Sequence, residues 1–183
     1  VADGASPLES RQKDVLYEMR AAEFDHTAIV PTQVCKITVD GEISRIANCR
    51  IGENDVLIMP WYQATLNKYP SSDLAWIAEE GVRIMGAVAF IHSKGYVHMD
   101  IKAMNVFVNN DCHWFIGDFG SCKPINEPVT SSTFQFCYEN VVGKPAIPKY
   151  DWFMLLLMIL TEALEDRRNF SYIFYDESSA HAS

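Results

Sequence analysis

Four polar side chains between Tyr96 and Gly120 fall at spacings that suit phosphoryl transfer: Asp100, Lys102, Asn105 and Asp118. Two short apolar runs, Val106-Phe107-Val108 and Trp114-Phe115-Ile116, flank Asn109-Asn110-Asp111. Strand-forming residues on either side of a turn-forming cluster predict a hairpin. Such a hairpin returns Asp118 to the neighbourhood of Asn105, giving two oxygen ligands suited to a hard divalent cation such as Mg²⁺. Asp100, just ahead of the first strand, would be placed to accept a proton from a hydroxyl. Lys102 would steady a transferring phosphate as a point charge. The competing reading is an ordinary polar loop in front of a hairpin.

The same stretch resembles the protein-kinase family, whose catalytic loop reads H-R-D-x-K-x-x-N and whose metal-binding motif reads D-F-G. Here the loop stands as His98-Met99-Asp100-Ile101-Lys102-Ala103-Met104-Asn105, followed by Asp118-Phe119-Gly120. Two motifs in order at the family's separation carry far more weight than either alone. The resemblance implies that Asp100 orients the acceptor hydroxyl and takes its proton, that Lys102 stabilises charge on the γ-phosphate, and that Asn105 and Asp118 hold Mg²⁺. One position departs from the pattern. Met99 replaces the arginine that, in the family, receives the phosphate of an activation-loop residue, so phosphorylation there is not expected to act through that contact.

Composition sets the wider frame. A chain of 183 residues, 49% hydrophobic and 21% charged, can bury a real core. Fifteen basic against twenty-four acidic residues give a net charge of −9, which argues against nonspecific nucleic-acid or acidic-membrane binding. The five cysteines are odd in number, scattered and without a C-x-x-C pair, a pattern of free thiols in a reducing compartment. The N-terminus shows neither a basic start nor an apolar run, and the chain lacks an initiator Met. The longest apolar run, Trp152 to Leu160, is nine residues, too short for a bilayer. A soluble, cytoplasmic protein is expected.

The elements that must position the site are read in chain order. Residues 7–24 look helical, with Val15, Leu16, Met19 and Ala22 at helical spacing. The resemblance makes this the small-lobe helix, with Glu18 as its ion-pairing residue; an exposed helical glutamate is the alternative. His26-Thr27-Ala28-Ile29-Val30 resembles the family's H-x-N-I-V segment. Residues 29–39 and 42–51 read as β with a turn at Asp40-Gly41. Val34-Cys35-Lys36-Ile37 is only superficially like V-A-I-K, because no helix with a partner Glu follows it, and Lys36 is expected to be a solvent-facing strand lysine.

Val56-Leu57-Ile58-Met59 reads as a buried strand leading into Pro60-Trp61-Tyr62. The resemblance makes Met59 the gatekeeper beside the adenine pocket. It has the Pro60 carbonyl and the Tyr62 N–H bonding the adenine edge, and adds Phe107 to the nucleotide site. An edge strand ending at a proline is the plain alternative. Asp73 caps a helix over about 73–93, with Leu74, Ile77, Val82, Ile84, Met85, Val88 and Ile91 as its apolar face and Gly95 as its stop. His92 and His113 are expected to be structural or solvent-facing. Residues 121–138 read as a loop in the place of the activation segment. Cys137-Tyr138-Glu139 stands where A-P-E would be. Asp151 resembles the residue opening the family's central helix, which is apolar nearly all round.

The fold expected is α+β and protein-kinase-like: 1–62 a partial small lobe and hinge, 63–165 a partial large lobe, 166–183 a polar tail. No G-x-G-x-x-G and no convincing ATP-anchoring lysine occur, so the chain reads as a fragment or truncated form. The function expected from the resemblance is transfer of the ATP γ-phosphate to a Ser/Thr hydroxyl of a protein substrate, with Mg²⁺. Lys102 favours the Ser/Thr form over the tyrosine form. Two alternatives stand beside it: a pseudokinase or scaffold module using the same fold, and a small-molecule kinase.

Overall fold

Helix α1 (Leu74–Ser93) begins where Asp73, in extended geometry, turns its Oδ1 onto the N–H groups of Ala75 and Trp76 at 2.9 and 3.2 Å. Those are donors that a first helical turn leaves without partners. Lys94 closes the far end, and Gly95 at φ +84° carries the chain out of the helix through the left-handed region. This computed structural model describes residues 24–37, 43–45, 55–130 and 141–164. Ile77, Glu80, Gly81, Ile84, Ala87, Val88 and Ile91 form the buried stripe of α1. Leu74, Val82 and Met85, expected on the apolar face, are exposed. At 3.6 residues per turn the latter two lie well away from the line through Ile84, Val88 and Ile91.

Helix α2 (Pro148–Ala163) starts with a proline in its first turn, where a missing N–H costs no hydrogen bond. It is not uniformly covered. Tyr150, Met154, Leu155, Leu157 and Met158 are buried, whereas Trp152, Leu156 and Leu160 face outward. The run is therefore an amphipathic core helix rather than one enclosed on every side. No helix among the described residues is long and apolar enough to cross a membrane.

Three small sheets complete the frame among the described residues. Strands β1 (Gln33–Ile37), β2 (Ile43–Arg45) and β3 (Asp55–Ile58) are antiparallel in the order β2-β1-β3, with Cys35 opposite both Arg45 and Val56. The first strand is shorter than expected. Ile29 instead bridges to Ile116, and Pro31, with no N–H to give, separates that contact from β1. The strand expected to be buried at 56–59 is an edge: β3 pairs with β1 alone among the described strands, leaving Ile58 and Met59 39% and 43% exposed. The Asp40-Gly41 turn and residues 46–51 lie outside the described residues, as do the helix expected over 7–24 (Phe24 apart), Glu18, Cys137-Tyr138-Glu139 and everything past Leu164.

The predicted hairpin is present. Strands β4 (Ala64–Thr65), β6 (Val106–Val108) and β7 (Trp114–Ile116) run in the order β4-β6-β7, with Val106, Phe107 and Val108 opposite Ile116, Phe115 and Trp114. Its turn is held by Asn109, whose Oδ1 accepts from the N–H groups of Asp111 (3.1 Å) and His113 (2.9 Å), an Asx-type lock. Strand β5 (Tyr96–Val97) pairs with β8 (Lys123–Pro124). The core gathers Ile84, Val88 and Ile91 of α1, Val106, Val108, Trp114 and Ile116 of the hairpin, and Met154, Leu155 and Met158 of α2. Each such side chain contributes roughly 1.5–3 kcal/mol on leaving water. The catalytic-loop candidates lie over this core.

Candidate active site

The loop from His98 to Asn105 is fixed at its entry by one carboxylate. Asp151, fully buried, accepts from the His98 N–H at 2.7 Å and from Nε2 of His92 at 2.8 Å through Oδ2, and from the Met99 N–H at 2.8 Å through Oδ1. Met99 is itself buried and sits at φ +68°, a conformation that non-glycine residues adopt only when the surroundings impose it. Its side chain faces the core and offers no cation. His98, also buried, has one possible tautomer here: Nδ1 accepts from the Asp100 N–H (3.3 Å), so Nε2 carries the proton and donates to the Gly117 carbonyl at 3.0 Å.

Past this anchor, Asp100, Lys102 and Asn105 converge. Lys102 Nζ and Asn105 Nδ2 each lie 2.8 Å from Asp100 Oδ2, and Asn105 Nδ2 also donates to the Asp100 carbonyl at 2.9 Å. A 3-10 turn, Ala103–Asn105, brings the amide back to the carboxylate. With two acceptors on one side, the Asn105 amide has only one sensible orientation, and its Oδ1 must face the other way. No donor among the described residues meets that oxygen, although Asn105 is only 5% exposed.

The Gly117 N–H donates to the Asn105 carbonyl at 3.0 Å, which puts Asp118 next to Asn105 along the chain path. Asp118 is exposed, lies at φ +58° and ψ +74° and makes no side-chain capping bond to the 3-10 turn Phe119–Ser121 that follows it. The Asn105 amide oxygen and the exposed Asp118 carboxylate are oxygen donors of the kind that Mg²⁺ accepts, since it keeps several waters and takes few protein ligands. Among the described residues there is no group of three His, Cys, Asp or Glu side chains gathered for a metal. His92 and His113 are structural, paired with Asp151 and Glu80 at 2.8 Å.

Met59, Pro60, Tyr62 and Phe107 come together as well. They line a cavity of about 490 Å³, open to solvent, together with Trp61 and Lys68. Tyr62 stacks at a tilt on Phe107 and Phe115, with ring centroids 5.4 and 5.2 Å away, and burial pushes its phenol above the usual range. Phe107 is the physical link between this cavity and the polar cluster, because its backbone neighbours Asn105 and its ring reaches over Gly117.

Three residues that hold the site are not evident from motif spacing. Asp151 stands out in the sequence only as a helix-opening residue, and its hold on the loop needs the fold. Glu80 sits in the buried stripe of α1 and accepts from the Trp114 N–H (2.6 Å), from Arg83 (2.5 Å) and from His113 Nδ1 (2.8 Å), fastening β7 to the helix. A charged residue in an apolar stripe is the one signal that could have found it, since buried charges require partners. Gly117 accepts from His98, donates to Asn105 and has no side chain where Phe107 and Val30 press in.

An antiparallel hairpin packed on helix α1, with an acid, a lysine and an amide in the loop before it and a second acid just after it, is a partial kinase-like α+β fold. The family profile described as Protein kinase domain matches residues 54–173, and the chain belongs to that family. Among its relatives is the serine/threonine-protein kinase US3 of human herpesvirus 1 (strain 17), 33% identical over 161 residues, covering 81% of this chain and 31% of that protein. The interferon-induced, double-stranded RNA-activated protein kinase of Rattus norvegicus is 32% identical over 145 residues, 70% of this chain and 28% of its own length. The serine/threonine-protein kinase CST20 of Candida albicans (strain WO-1) is 39% identical over 82 residues, 42% of this chain and 7% of that protein. The chain thus spans less than a third of the length of these curated relatives.

Proposed function

We propose that this chain carries the catalytic centre of a serine/threonine protein kinase, with residues 1–62 contributing to a small lobe and hinge, 63–165 to a large lobe and 166–183 forming a tail. One observation supports this most: the Asp100 carboxylate is held by Lys102 and Asn105 while no donor among the described residues meets the Oδ1 of the buried Asn105. In this reading Asp100 receives the hydroxyl proton as the substrate oxygen bonds to the γ-phosphorus and ADP departs. Lys102, already paired with Asp100, offsets charge on the transferring group. Asn105 Oδ1 and the Asp118 carboxylate would hold Mg²⁺, which supplies Lewis-acid stabilisation of the phosphate oxygens when bound. Met59, Pro60, Tyr62 and Phe107 would enclose the adenine, Pro60 as an acceptor only, since it has no N–H. The free thiols among the described residues, Cys35, Cys112 and Cys122, all buried or half-buried, favour a reducing, cytoplasmic setting.

Two measurements test this. Titration with Mg·ATP should raise the melting temperature of the chain, because a ligand held at 100 times its Kd adds about 2.7 kcal/mol of stability. No shift at millimolar nucleotide removes the reading. In the full-length protein, Asp100→Asn should lower turnover by about 10²–10⁴-fold, and unchanged turnover refutes the role given to Asp100.

A further inference from the structure

Compared with one at Gly81 or Gly86, a side chain at Gly117 would meet closer neighbours. A Cβ at this position would lie 2.7 Å from Cε2 and 3.1 Å from Cδ2 of Phe107, and 2.9 Å from Cγ2 of Val30. Separations below about 3 Å are not tolerated between carbon atoms, so a side chain there forces its neighbours to move. Both backbone groups of Gly117 are committed, the N–H to Asn105 and the carbonyl to His98. The glycine cannot retreat without dragging the catalytic loop. Val30 is buried and pinned through its N–H to the Ile116 carbonyl at 2.9 Å. Phe107 is only half-buried and one side of it borders the open cavity. Of the three, the Phe107 ring has the most room to give way, and the cavity is the space open to it.

We infer that Gly117 is a positioning residue for the nucleotide: its missing side chain lets the Phe107 ring lie low enough to leave the adenine cleft open. This deepens the nucleotide-site reading above and rests on it. The flat faces of Phe107 and Tyr62, tilted at 46° with centroids 5.4 Å apart, form an aromatic floor and wall suited to a planar base. The depth of that floor is set from below, by a backbone with no Cβ. Any side chain at 117 converts ring position into cleft volume.

The test is ADP binding by the intact chain, read by titration with Mg·ADP beside a thermal melt, so that turnover is not needed. Gly117→Ala should weaken ADP at least about fivefold, the fold-change that overpacking of this size produces. In a Phe107→Leu background the same change should alter ADP affinity less than twofold, because the ring that transmits it is gone. Val30→Ala relieves the other close contact and should recover melting temperature in the Gly117→Ala protein without recovering ADP affinity. A purely structural role predicts equal recovery by both second changes. Should Gly117→Ala alone not fold, the pair Phe107→Leu and Phe107→Leu/Gly117→Ala still decides: a fivefold difference between them overturns the inference. Wild-type chain that binds ADP while Gly117→Ala binds it equally well overturns the inference and leaves the nucleotide site standing. Wild-type chain that does not bind ADP removes the nucleotide site itself.

Discussion

Two buried carboxylates, one at the entry of the loop that carries Asp100 and one at the hairpin after it, do the same job with different consequences. Asp151 of α2 grips the loop entry, one residue before Asp100, through two backbone N–H groups and His92. Glu80 of α1 grips the far strand through one backbone N–H, that of Trp114, plus the side chains of Arg83 and His113. Asp151 is closed off from water on every side, and its backbone partners have no other way to be satisfied. The Glu80 partners are half open: the Arg83 and His113 side chains are 27% and 40% exposed and can turn to solvent. Loss of Asp151 therefore strands donors at the chemistry, whereas loss of Glu80 loosens a strand whose remaining partners can rehydrate.

The largest effect should come from Asp151→Ala. Removing one partner of a buried ionic cluster costs about 3–5 kcal/mol, and the His98 and Met99 N–H groups are left unpaired beside Asp100. Urea denaturation should show that loss, and Asp151→Asn, which keeps an acceptor, should recover part of it. A milder result is expected for Glu80→Gln, on the order of 1–3 kcal/mol, since the amide oxygen can still accept from Trp114. If Glu80→Gln proves the more damaging of the two under the same denaturant, the ranking of the anchors is wrong.

The smallest effect concerns acid. His26 lies at the Glu80 end, and burial first, then the positive charge of Arg83, lowers its pKa below the ordinary 6.5. Its Nδ1 accepts from the Ala28 N–H at 3.1 Å, a bond only the unprotonated nitrogen can make. A depressed histidine binds its proton more readily in the unfolded chain, so this contribution to stability is present above pH 6.5 and is lost as pH falls through the lower, folded value. Melting temperature should decline on going from pH 7 to pH 5, and His26→Gln should flatten that decline. An unaltered slope in the variant would place the acid sensitivity elsewhere.

Sequence reasoning reached the hairpin and the two long helices among the described residues, because each follows from local rules: turn composition, helical period and cap. It misjudged what depends on neighbours distant in the chain. Val82 and Met85 are apolar but off the buried stripe, and Ile58 and Met59 lie at the end of a strand that pairs on one side only among the described strands. Asp151 and Glu80 are ordinary acids until the fold delivers backbone donors from 53 and 34 residues away. Gly117 is invisible for a different reason. The absence of a side chain matters only once a ring from another strand occupies the vacancy.

The imidazole of His98 carries a consequence for motion. Its two nitrogens tie the Asp100 backbone to the Gly117 carbonyl, immediately ahead of Asp118. The ring acts as a crossbar between the acid proposed to take a proton and the acid proposed to face the metal. A rotation of the turn at Asp118 that carries the Gly117 carbonyl away would strain the 3.0 Å bond to His98 and, through the ring, the 3.3 Å bond to the Asp100 N–H. The backbones that carry the two carboxylates thus share one side chain, and His98→Ala would remove a link between them that involves no ligand.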